Sequence, residues 1–318
     1  MKILVTGCAG FIGTNLCKRL VELGHEVVGI DDLSYGHPEN MNDIRFDNYI
    51  ATDVRYFNGE GEIFKNIDVI YHQANLRKNI SSRNPDKDID ITIRGTCNLL
   101  QYATKNKVKK FIYASSSLAY GDSDPVCTEQ SPLRPICIYG ISKVAAEKLV
   151  KYYHGTNGLE TTILRYFQGY GHYQDTRRGA AIIPTVIRNM FENEPVIIYG
   201  DGTQTRSFTW IEDIIDVLMM PLFDSKMSGE TYNVTAGKEY SIQEIIDLIM
   251  NCYCELYPEK KVNRTDRLCY HAAMPDDIKH LAGNNDKIRK LGVTFNTDIR
   301  ENIKETIKFY ERYNTKPL

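Results

Sequence analysis

Short runs of apolar, often β-branched residues alternate with amphipathic segments over the first half of the chain. The run at 3–6 is followed over 11–23 by apolar residues at helical spacing, which end before Gly24. The same order continues to a run at 161–165, with long helical patterns over about 86–105 and over 139–153. This alternation predicts βαβ units and therefore an α/β fold with a doubly wound parallel sheet.

The pattern changes after about residue 167. Short strands are predicted at 196–199 and 231–234, among helices predicted at 210–220, 241–254 and 297–313. We therefore predict a first domain over 1–168 that carries the parallel sheet, and a smaller mixed α/β lobe over 169–318. The boundary is soft, and we expect some elements to be shared between the two parts.

Composition narrows the class of protein. The 318 residues carry a formal net charge of -2, which gives no electrostatic reason to expect a nucleic-acid or membrane partner. No stretch approaches the ~20 apolar residues of a membrane span, and the first apolar run is too short for a signal peptide. The eight cysteines form no CxxC pair, so we expect reduced thiols in a cytoplasmic protein and predict no metal site.

A glycine-rich turn joins the first predicted strand to the first predicted helix. Its sequence is GCAGFIG at 7–13. Glycines are needed where a backbone turns tightly against a pyrophosphate, and the start of a helix adds unpaired N–H groups and the positive end of a dipole. The turn therefore predicts a Rossmann-type dinucleotide site. The residues expected to contact the cofactor there are Gly7, Gly10, Phe11, Ile12 and Gly13.

Two acidic positions indicate which dinucleotide is bound. Asp31 ends the second apolar run, about 20 residues after the turn, where a carboxylate reaches the adenosine ribose. Such a carboxylate repels a 2′-phosphate, so NAD is predicted rather than NADP. Asp32 is either a second ribose contact or a solvated loop residue. Asp53 and Val54 follow a short third strand and are either at the adenine edge or an ordinary strand end.

Tyr139 and Lys143 lie one helical turn apart on the same face of the helix predicted over 139–153. A phenol with its ordinary pKa near 10 is a poor base at neutral pH. A nearby ammonium and the positive nicotinamide ring favour the phenolate and lower that pKa. Alone, such a pair is common on helices and fits an exposed surface better than a redox centre. Together with the glycine turn and the Ser-rich segment ASSSLAYG at 114–121, it predicts a redox centre.

Nine segments between residue 1 and about 215 together resemble the extended short-chain dehydrogenase/reductases that modify nucleotide sugars, most closely their UDP-glucose 4-epimerase-like members. They are the glycine turn, DDLS at 31–34, DVR at 53–55, HQA at 72–74, GTCNLL at 95–100, ASSSLAYG at 114–121, YGISK at 139–143, LRYF at 164–167 and GDGTQTR at 200–206.

The resemblance implies roles for individual residues. It implies Ser116, Tyr139 and Lys143 as the catalytic triad, with Tyr139 and Lys143 also touching the cofactor together with Ala74 and Tyr166. The substrate contacts that it implies are Ser116, Ser117, Tyr139, Gln168 and Arg206. Arg267 is a further, weaker candidate for binding the substrate pyrophosphate, as are Arg177 and Arg178.

The activity implied is that of an NAD-dependent epimerase that inverts C4 of a UDP-hexose through a transient 4-keto sugar, in a homodimer formed by the helices around 86–105 and 139–155. Related dehydratases carry an Asp-Glu pair where this chain has Ser117 and Leu118, which disfavours dehydration. Two alternatives stay open: another nucleotide-sugar reaction (epimerisation at another carbon, 4-keto reduction or decarboxylation), and a non-catalytic NAD-binding scaffold. Gln168, Ser207, Thr92 and the segment 274–277 depart from the family pattern on the substrate side, so the base and the sugar stay open.

Overall fold

The computed structural model describes residues 1–44, 46, 48–121, 123–177, 181–260, 267–274 and 277–314, with the backbone alone for 313 and 314. Its strands are β1 (Lys2–Thr6), β2 (Glu26–Asp31), β3 (Tyr49–Ala51), β4 (Val69–His72), β5 (Lys110–Ser116), β6 (Val126–Cys127), β7 (Glu160–Tyr166), β8 (Gly169–Tyr170), β9 (Val196–Tyr199), β10 (Thr205–Ser207), β11 (Thr209–Trp210), β12 (Glu230–Val234), β13 (Glu239–Ser241), β14 (Leu268–His271) and β15 (His280–Gly283).

The helices are α1 (Phe11–Glu22), α2 (Pro38–Asp43), α3 (Lys78–Ser81), α4 (Pro85–Asp88), α5 (Gly95–Lys105), α6 (Ile138–Asn157), α7 (Ile182–Glu192), α8 (Ile211–Phe223), α9 (Ile242–Leu256), α10 (Asp286–Arg289) and α11 (Ile299–Asn314). Short 3-10 turns lie at Glu62–Phe64, Ser117–Ala119 and Ser225–Met227, and a π-helix lies at Ile89–Arg94. None of these helices is both long enough and apolar enough to span a membrane.

Seven parallel strands form the main sheet, in the order β12-β7-β5-β4-β1-β2-β3. Successive side chains of β1 enter different cores: Ile3 and Val5 pack in one cluster with Leu16 of α1, whereas Leu4 packs in another with Leu99 of α5. Because adjacent side chains of a strand point to opposite faces, both faces of the sheet are covered. The predicted doubly wound parallel sheet is confirmed.

Two strands cross the predicted boundary at residue 168. β12 comes after it, yet it is an edge strand of the main sheet and pairs with β7. β6 comes before it, yet it pairs with β15 in the four-stranded sheet β13-β10-β15-β6. We therefore keep 1–168 and 169–318 as a proposed division along the chain, in which β6 and β12 are exchanged between the two parts.

The segment predicted as one helix over about 86–105 has three parts. α4 is followed directly by the π-helix at Ile89–Arg94, and α5 continues from there. A π-helix has wider turns than an α-helix and occurs often at functional sites. Both α4 and the π-helix pack against α6, which carries Tyr139 and Lys143. The irregular segment therefore backs the helix on which the predicted redox centre lies.

Candidate active site

The carboxyl ends of the parallel strands open onto a cavity of about 600 Å³. It lies where the strand order reverses between β1 and β4, the usual ligand position in doubly wound sheets. Apart from Arg267, Arg177 and Arg178, every predicted site residue lines it. These residues are Gly7, Gly10, Phe11, Ile12, Gly13, Asp31, Asp32, Asp53, Val54, Ala74, Ser116, Ser117, Tyr139, Lys143, Tyr166, Gln168 and Arg206.

The glycine turn forms one wall of this cavity. Gly7 has a positive φ of 68°, and a Cβ added there would lie 2.8 Å from the backbone N of Ala74. A Cβ on Gly13 would overlap the Gly7 carbonyl. Side chains are therefore excluded at both positions, and the backbone and the first turn of α1 face the cavity directly. The N–H groups of that first turn have no partner within the helix.

Asp31 is held at the end of β2 by two backbone donors. Its Oδ2 accepts the N–H of Ala9 at 3.0 Å, and its Oδ1 accepts the N–H of Leu33 at 2.9 Å. Burial raises the pKa of Asp31, and these two bonds act in the opposite direction. Asp32 is engaged locally instead, since its Oδ1 accepts both the N–H and the hydroxyl of Ser34. Asp31 is thus the more firmly positioned of the two carboxylates.

Asp53 is neutralised by its neighbour Arg55, whose Nε and Nη2 donate to Oδ2 at 2.8 and 2.6 Å. Desolvation would raise the pKa of Asp53, but the bonds and charge of Arg55 hold it below its ordinary value. The Asn98 amide donates to the carbonyls of Val54 and Arg55 and so fixes this loop against α5. The loop is a formed wall of the cavity.

These walls fit NAD. The glycine turn offers a cradle that a Cβ would fill, and Asp31 brings a carboxylate to the cavity. The Nε2 of Gln73, which also lines the cavity, is a buried donor without a partner among the described residues. A buried amide donor left unpaired costs free energy, so a polar ligand that accepts from it is favoured there.

Lys143 lies buried under the cavity floor. Its Nζ donates to the carbonyl of Ala114 at 2.7 Å and lies 5.5 Å from the centroid of the Tyr139 ring. Desolvation lowers the pKa of Lys143 to about 8, while the carboxylates of Asp88 and Glu147 raise it. An ammonium of this kind still carries its charge at neutral pH, close beside the phenol.

Tyr139 faces the cavity from the first turn of α6. Loss of water around its hydroxyl raises the pKa of Tyr139, the charge of Asp88 adds to that rise, and a hydrogen bond with Ser116 lowers it. The hydroxyl donates to Oδ1 of Asn75 at 3.2 Å. In the chain by itself the phenol is therefore neutral, and a cation beside it, such as a nicotinamide ring, would favour the phenolate.

A buried ion pair fixes α6 on the sheet. Glu147 lies one turn beyond Lys143, and its carboxylate accepts Nε and Nη2 of Arg165 on β7 at 2.8 and 2.6 Å. The Ser115 hydroxyl on β5 donates to the same carboxylate. Both charged side chains are at most 2% exposed. The pair therefore ties the helix that carries Tyr139 to the two strands beneath it.

Arg206, on β10, also lines the cavity. Its Nη2 pairs with Asp277, and its Nη1 donates to the carbonyl of Thr205. Desolvation lowers the pKa of Arg206, and the charge of Asp277 opposes that shift. The neighbouring Ser207 hydroxyl is buried, lines the cavity and has no partner among the described residues. An anion that binds here would contact the Arg206 guanidinium, which is already paired with the carboxylate of Asp277.

The structure does not bring Arg267 to the cavity. Its guanidinium donates to Asn193, and its carbonyl accepts the N–H of Val196 beside β9. That placement gives no support to the substrate contact predicted for it. Arg177 does not line the cavity either. Its guanidinium donates to the carboxylate of Asp175 and to the carbonyl of Tyr35. Arg178 lies outside the described residues.

Several polar cavity residues were not among the predicted site residues, including three close together after β4. Gln73, Asn75 and Arg77 line the wall just beyond β4. Arg77 pairs with Asp175, which also lines the cavity, and its guanidinium carbon lies 5.2 Å from the ring centroid of Tyr35. Their position directly after a strand could have indicated them, because ligands bind beyond the carboxyl ends of strands at the point where strand order reverses.

Within the described ranges, no group of three or more His, Cys, Asp or Glu is arranged to hold a metal.

Known proteins share both the sequence and the fold. A putative UDP-glucose 4-epimerase of Methanocaldococcus jannaschii is 32% identical over 98% of this chain and 99% of its own. The UDP-glucose 4-epimerase of Thermotoga maritima, solved with UDP-glucose, has a TM-score of 0.90 at 28% identity, covering 99% of this chain and 100% of that one. The dTDP-glucose 4,6-dehydratase DesIV of Streptomyces venezuelae, solved with NAD, has a TM-score of 0.89 at 25% identity, covering 98% and 97%.

The model of the family described as "NAD dependent epimerase/dehydratase" matches residues 3–235. This match covers the main sheet, the glycine turn and the helix that carries Tyr139 and Lys143. It confirms the predicted resemblance and the predicted use of NAD. The chain therefore belongs to the NAD dependent epimerase/dehydratase family.

Proposed function

We propose that the protein inverts C4 of a UDP-hexose through a transient 4-keto sugar. The observation that carries this proposal is one cavity that joins the glycine turn, the Ser116–Tyr139–Lys143 group and Arg206. The glycine turn suits a dinucleotide and Arg206 suits the pyrophosphate of a sugar nucleotide, and the acid–base group lines the same cavity. Relatives named as UDP-glucose 4-epimerases over nearly the whole chain support the same activity.

The residues of the cavity have separate roles in this reaction. The glycine turn and Asp31 would hold the pyrophosphate and adenosine ribose of NAD, which when bound would supply reversible hydride transfer to and from C4. Tyr139 takes the proton of the C4 hydroxyl, and Ser116 bonds both oxygens and directs that transfer. Lys143, fixed on the Ala114 carbonyl, supplies the positive charge that favours the phenolate.

The second half of the reaction reverses the first on the other face of the sugar. The 4-keto sugar would turn within the cavity, and Tyr139 would return the proton to the oxygen on C4 as the hydride is restored to that carbon. One hydride and one proton leave the sugar and both return, so no net oxidation occurs. Arg206 would hold the pyrophosphate of the substrate through this turn, because a guanidinium suits that anion.

Ser117 and Leu118 support epimerisation over dehydration. Both residues line the cavity next to Ser116, where an eliminating enzyme needs an acid and a base. The Leu118 side chain provides neither, and its backbone N–H donates to the Ser116 hydroxyl at 3.2 Å. A 4-keto sugar formed here meets no added carboxylate at this position that would help it to lose water.

The purified protein is to be incubated, without added cofactor, with a panel of UDP-, CDP-, GDP- and dTDP-sugars, and the products followed by NMR. We expect a C4 epimer from a UDP-hexose. Tyr139→Phe should lower turnover by roughly 10²- to 10⁴-fold with NAD still bound. Tyr270→Phe, at an exposed tyrosine away from the cavity, is the matched control. A 4-keto-6-deoxy product, or full activity of Tyr139→Phe, would contradict the proposal.

We also propose that the protein works as a homodimer in the cytoplasm. Exposed apolar side chains at Ile89 and Ile141, 45% and 49% accessible, lie on the π-helix and on α6. They support a dimer built from these helices, since burying them would remove apolar surface from water. All eight cysteines are free thiols, as suits a reducing compartment. Light scattering of Ile141→Glu, compared with the unchanged protein, tests the dimer; an unaltered mass would contradict this interface.

A further inference from the structure

Asn75 touches the reacting oxygen of Tyr139, and no role has been assigned to it. It follows β4 by three residues and lines the cavity. Its Oδ1 accepts the Tyr139 hydroxyl at 3.2 Å, and its Nδ2 donates to the Gln73 carbonyl at 2.7 Å. The side chain therefore bridges the strand end and the catalytic phenol.

The orientation of this amide follows from its neighbours. A backbone carbonyl only accepts hydrogen bonds, so the NH₂ group of Asn75 must face the Gln73 carbonyl. The reversed amide would set two acceptors against each other at that short distance. The Oδ1 atom is thereby the one directed at Tyr139, and it too only accepts.

An acceptor at this position distinguishes the two forms of Tyr139. The neutral phenol donates its hydrogen to Oδ1 of Asn75. The phenolate has no hydrogen to donate, so its negative oxygen faces a lone pair of Oδ1 and is repelled. The Ser116 hydroxyl differs in this respect, because it can donate to the phenolate as well as accept from the phenol. Asn75 therefore stabilises Tyr139 in its protonated form, and Ser116 serves both forms.

We propose that Asn75 is a catalytic residue that holds the hydroxyl of Tyr139 while the 4-keto sugar turns over. This inference rests on the proposed epimerisation. The phenol has one hydrogen. While that hydrogen points to Asn75, it does not bond the ketone oxygen, and the ketone is free to rotate. When the hydride returns to C4, the same proton passes from the Tyr139 oxygen to the oxygen on C4, and Tyr139 is again ready to accept one.

The test measures the protonation of Tyr139 directly. The full chain, loaded with NAD and labelled with ¹³C at the tyrosine Cζ, is titrated by NMR, with Tyr139→Phe identifying the resonance. Asn75→Ala should lower the pKa of Tyr139 by roughly half a unit to one unit, the size of one net hydrogen bond. Asn75→Asp should raise that pKa, because a carboxylate is a stronger acceptor and adds negative charge.

Asn106→Ala is the control, since its amide likewise donates to a backbone carbonyl, that of Tyr102, away from the cavity. It should leave the Tyr139 pKa unchanged. Shifts of Asn75→Ala and Asn75→Asp in the same direction would indicate general distortion and overturn the proposal, as would no shift in Asn75→Ala. These readouts need no sugar. A failed sugar panel beside opposite shifts would therefore overturn the turnover role while leaving the acceptor contact established.

Discussion

Replacing Glu147 with Ala would leave the Arg165 guanidinium buried without its carboxylate. Two bonds from Arg165 and one from Ser115 would be lost together, at a site at most 2% exposed. Removing one partner of such a pair costs about 3 to 5 kcal/mol. Arg165 keeps a bond to the Tyr120 hydroxyl, which favours the lower end of that range. At about 3 kcal/mol the unfolded fraction rises roughly a hundredfold.

Urea unfolding measures this loss, with the fluorescence of the single tryptophan, Trp210, as the signal. Trp210 is 4% exposed, so unfolding changes its surroundings strongly. Glu147→Gln keeps the shape and one acceptor oxygen, and should cost less than Glu147→Ala. The double variant Glu147→Leu with Arg165→Met removes both charges and should recover most of the stability.

A cost below about 1 kcal/mol for Glu147→Ala, the range of exposed pairs, would refute this account of the pair. A double variant no more stable than Glu147→Ala would refute it as well, because the loss would not come from an uncompensated charge. The same variants report on the site. Because the charge of Glu147 raises the pKa of Lys143, its removal should move that pKa further down.

Three further outcomes are expected. The specificity constant kcat/KM should fall as pH rises through about 8, because burial lowers the pKa of Lys143 to about 8 and the ammonium is lost above that pH. In Lys143→Arg the side chain stays charged, so this variant should be slower overall but should not show the fall. If the fall persists in Lys143→Arg, it belongs to another group. Arg206→Leu should raise KM for the sugar nucleotide about tenfold or more with NAD retention unchanged, and an unaltered KM would exclude Arg206 from the substrate site. Burial raises the pKa of Asp213 from 3.8 to about 7, so its contribution to stability is full below about pH 4 and lost as pH rises through 7. Asp213→Asn should therefore raise the midpoint of urea unfolding at pH 8 but not at pH 4. Equal midpoints for the variant and the unchanged protein at pH 8 would contradict this.

Local spacing was enough to predict the centre of the site. The strand, glycine turn and helix around Gly7 and Gly13 are contiguous in the chain, and their geometry follows from the steric need for glycine there. Tyr139 and Lys143 are one turn apart, so any regular helix places them on the same face. The π-helix was not predicted, because its apolar spacing differs little from that of an α-helix over a single turn.

The features of the site that the sequence did not predict depend on contacts between residues far apart in the chain or on the orientation of single side chains. Arg206 and Asp277 are far apart in the chain, and only the parallel pairing of β10 with β15 brings their segments together. Arg267 was one of three weaker arginine candidates for the pyrophosphate, and its guanidinium instead donates to Asn193. Asn75 belongs to a loop without periodicity, and its importance depends on which way one amide points.

β12 has a consequence for how this protein is made and re-engineered. During synthesis, β7 leaves the ribosome well before the residues of β12, and until then one edge of the main sheet presents unpaired N–H and C=O groups. A fragment that ends at residue 168 would lack β12, so the β7 edge of the sheet would stay unpaired and the fragment would aggregate through it. A chimaera that exchanges substrate lobes between relatives must therefore leave residues 230–234 with the nucleotide-binding sheet.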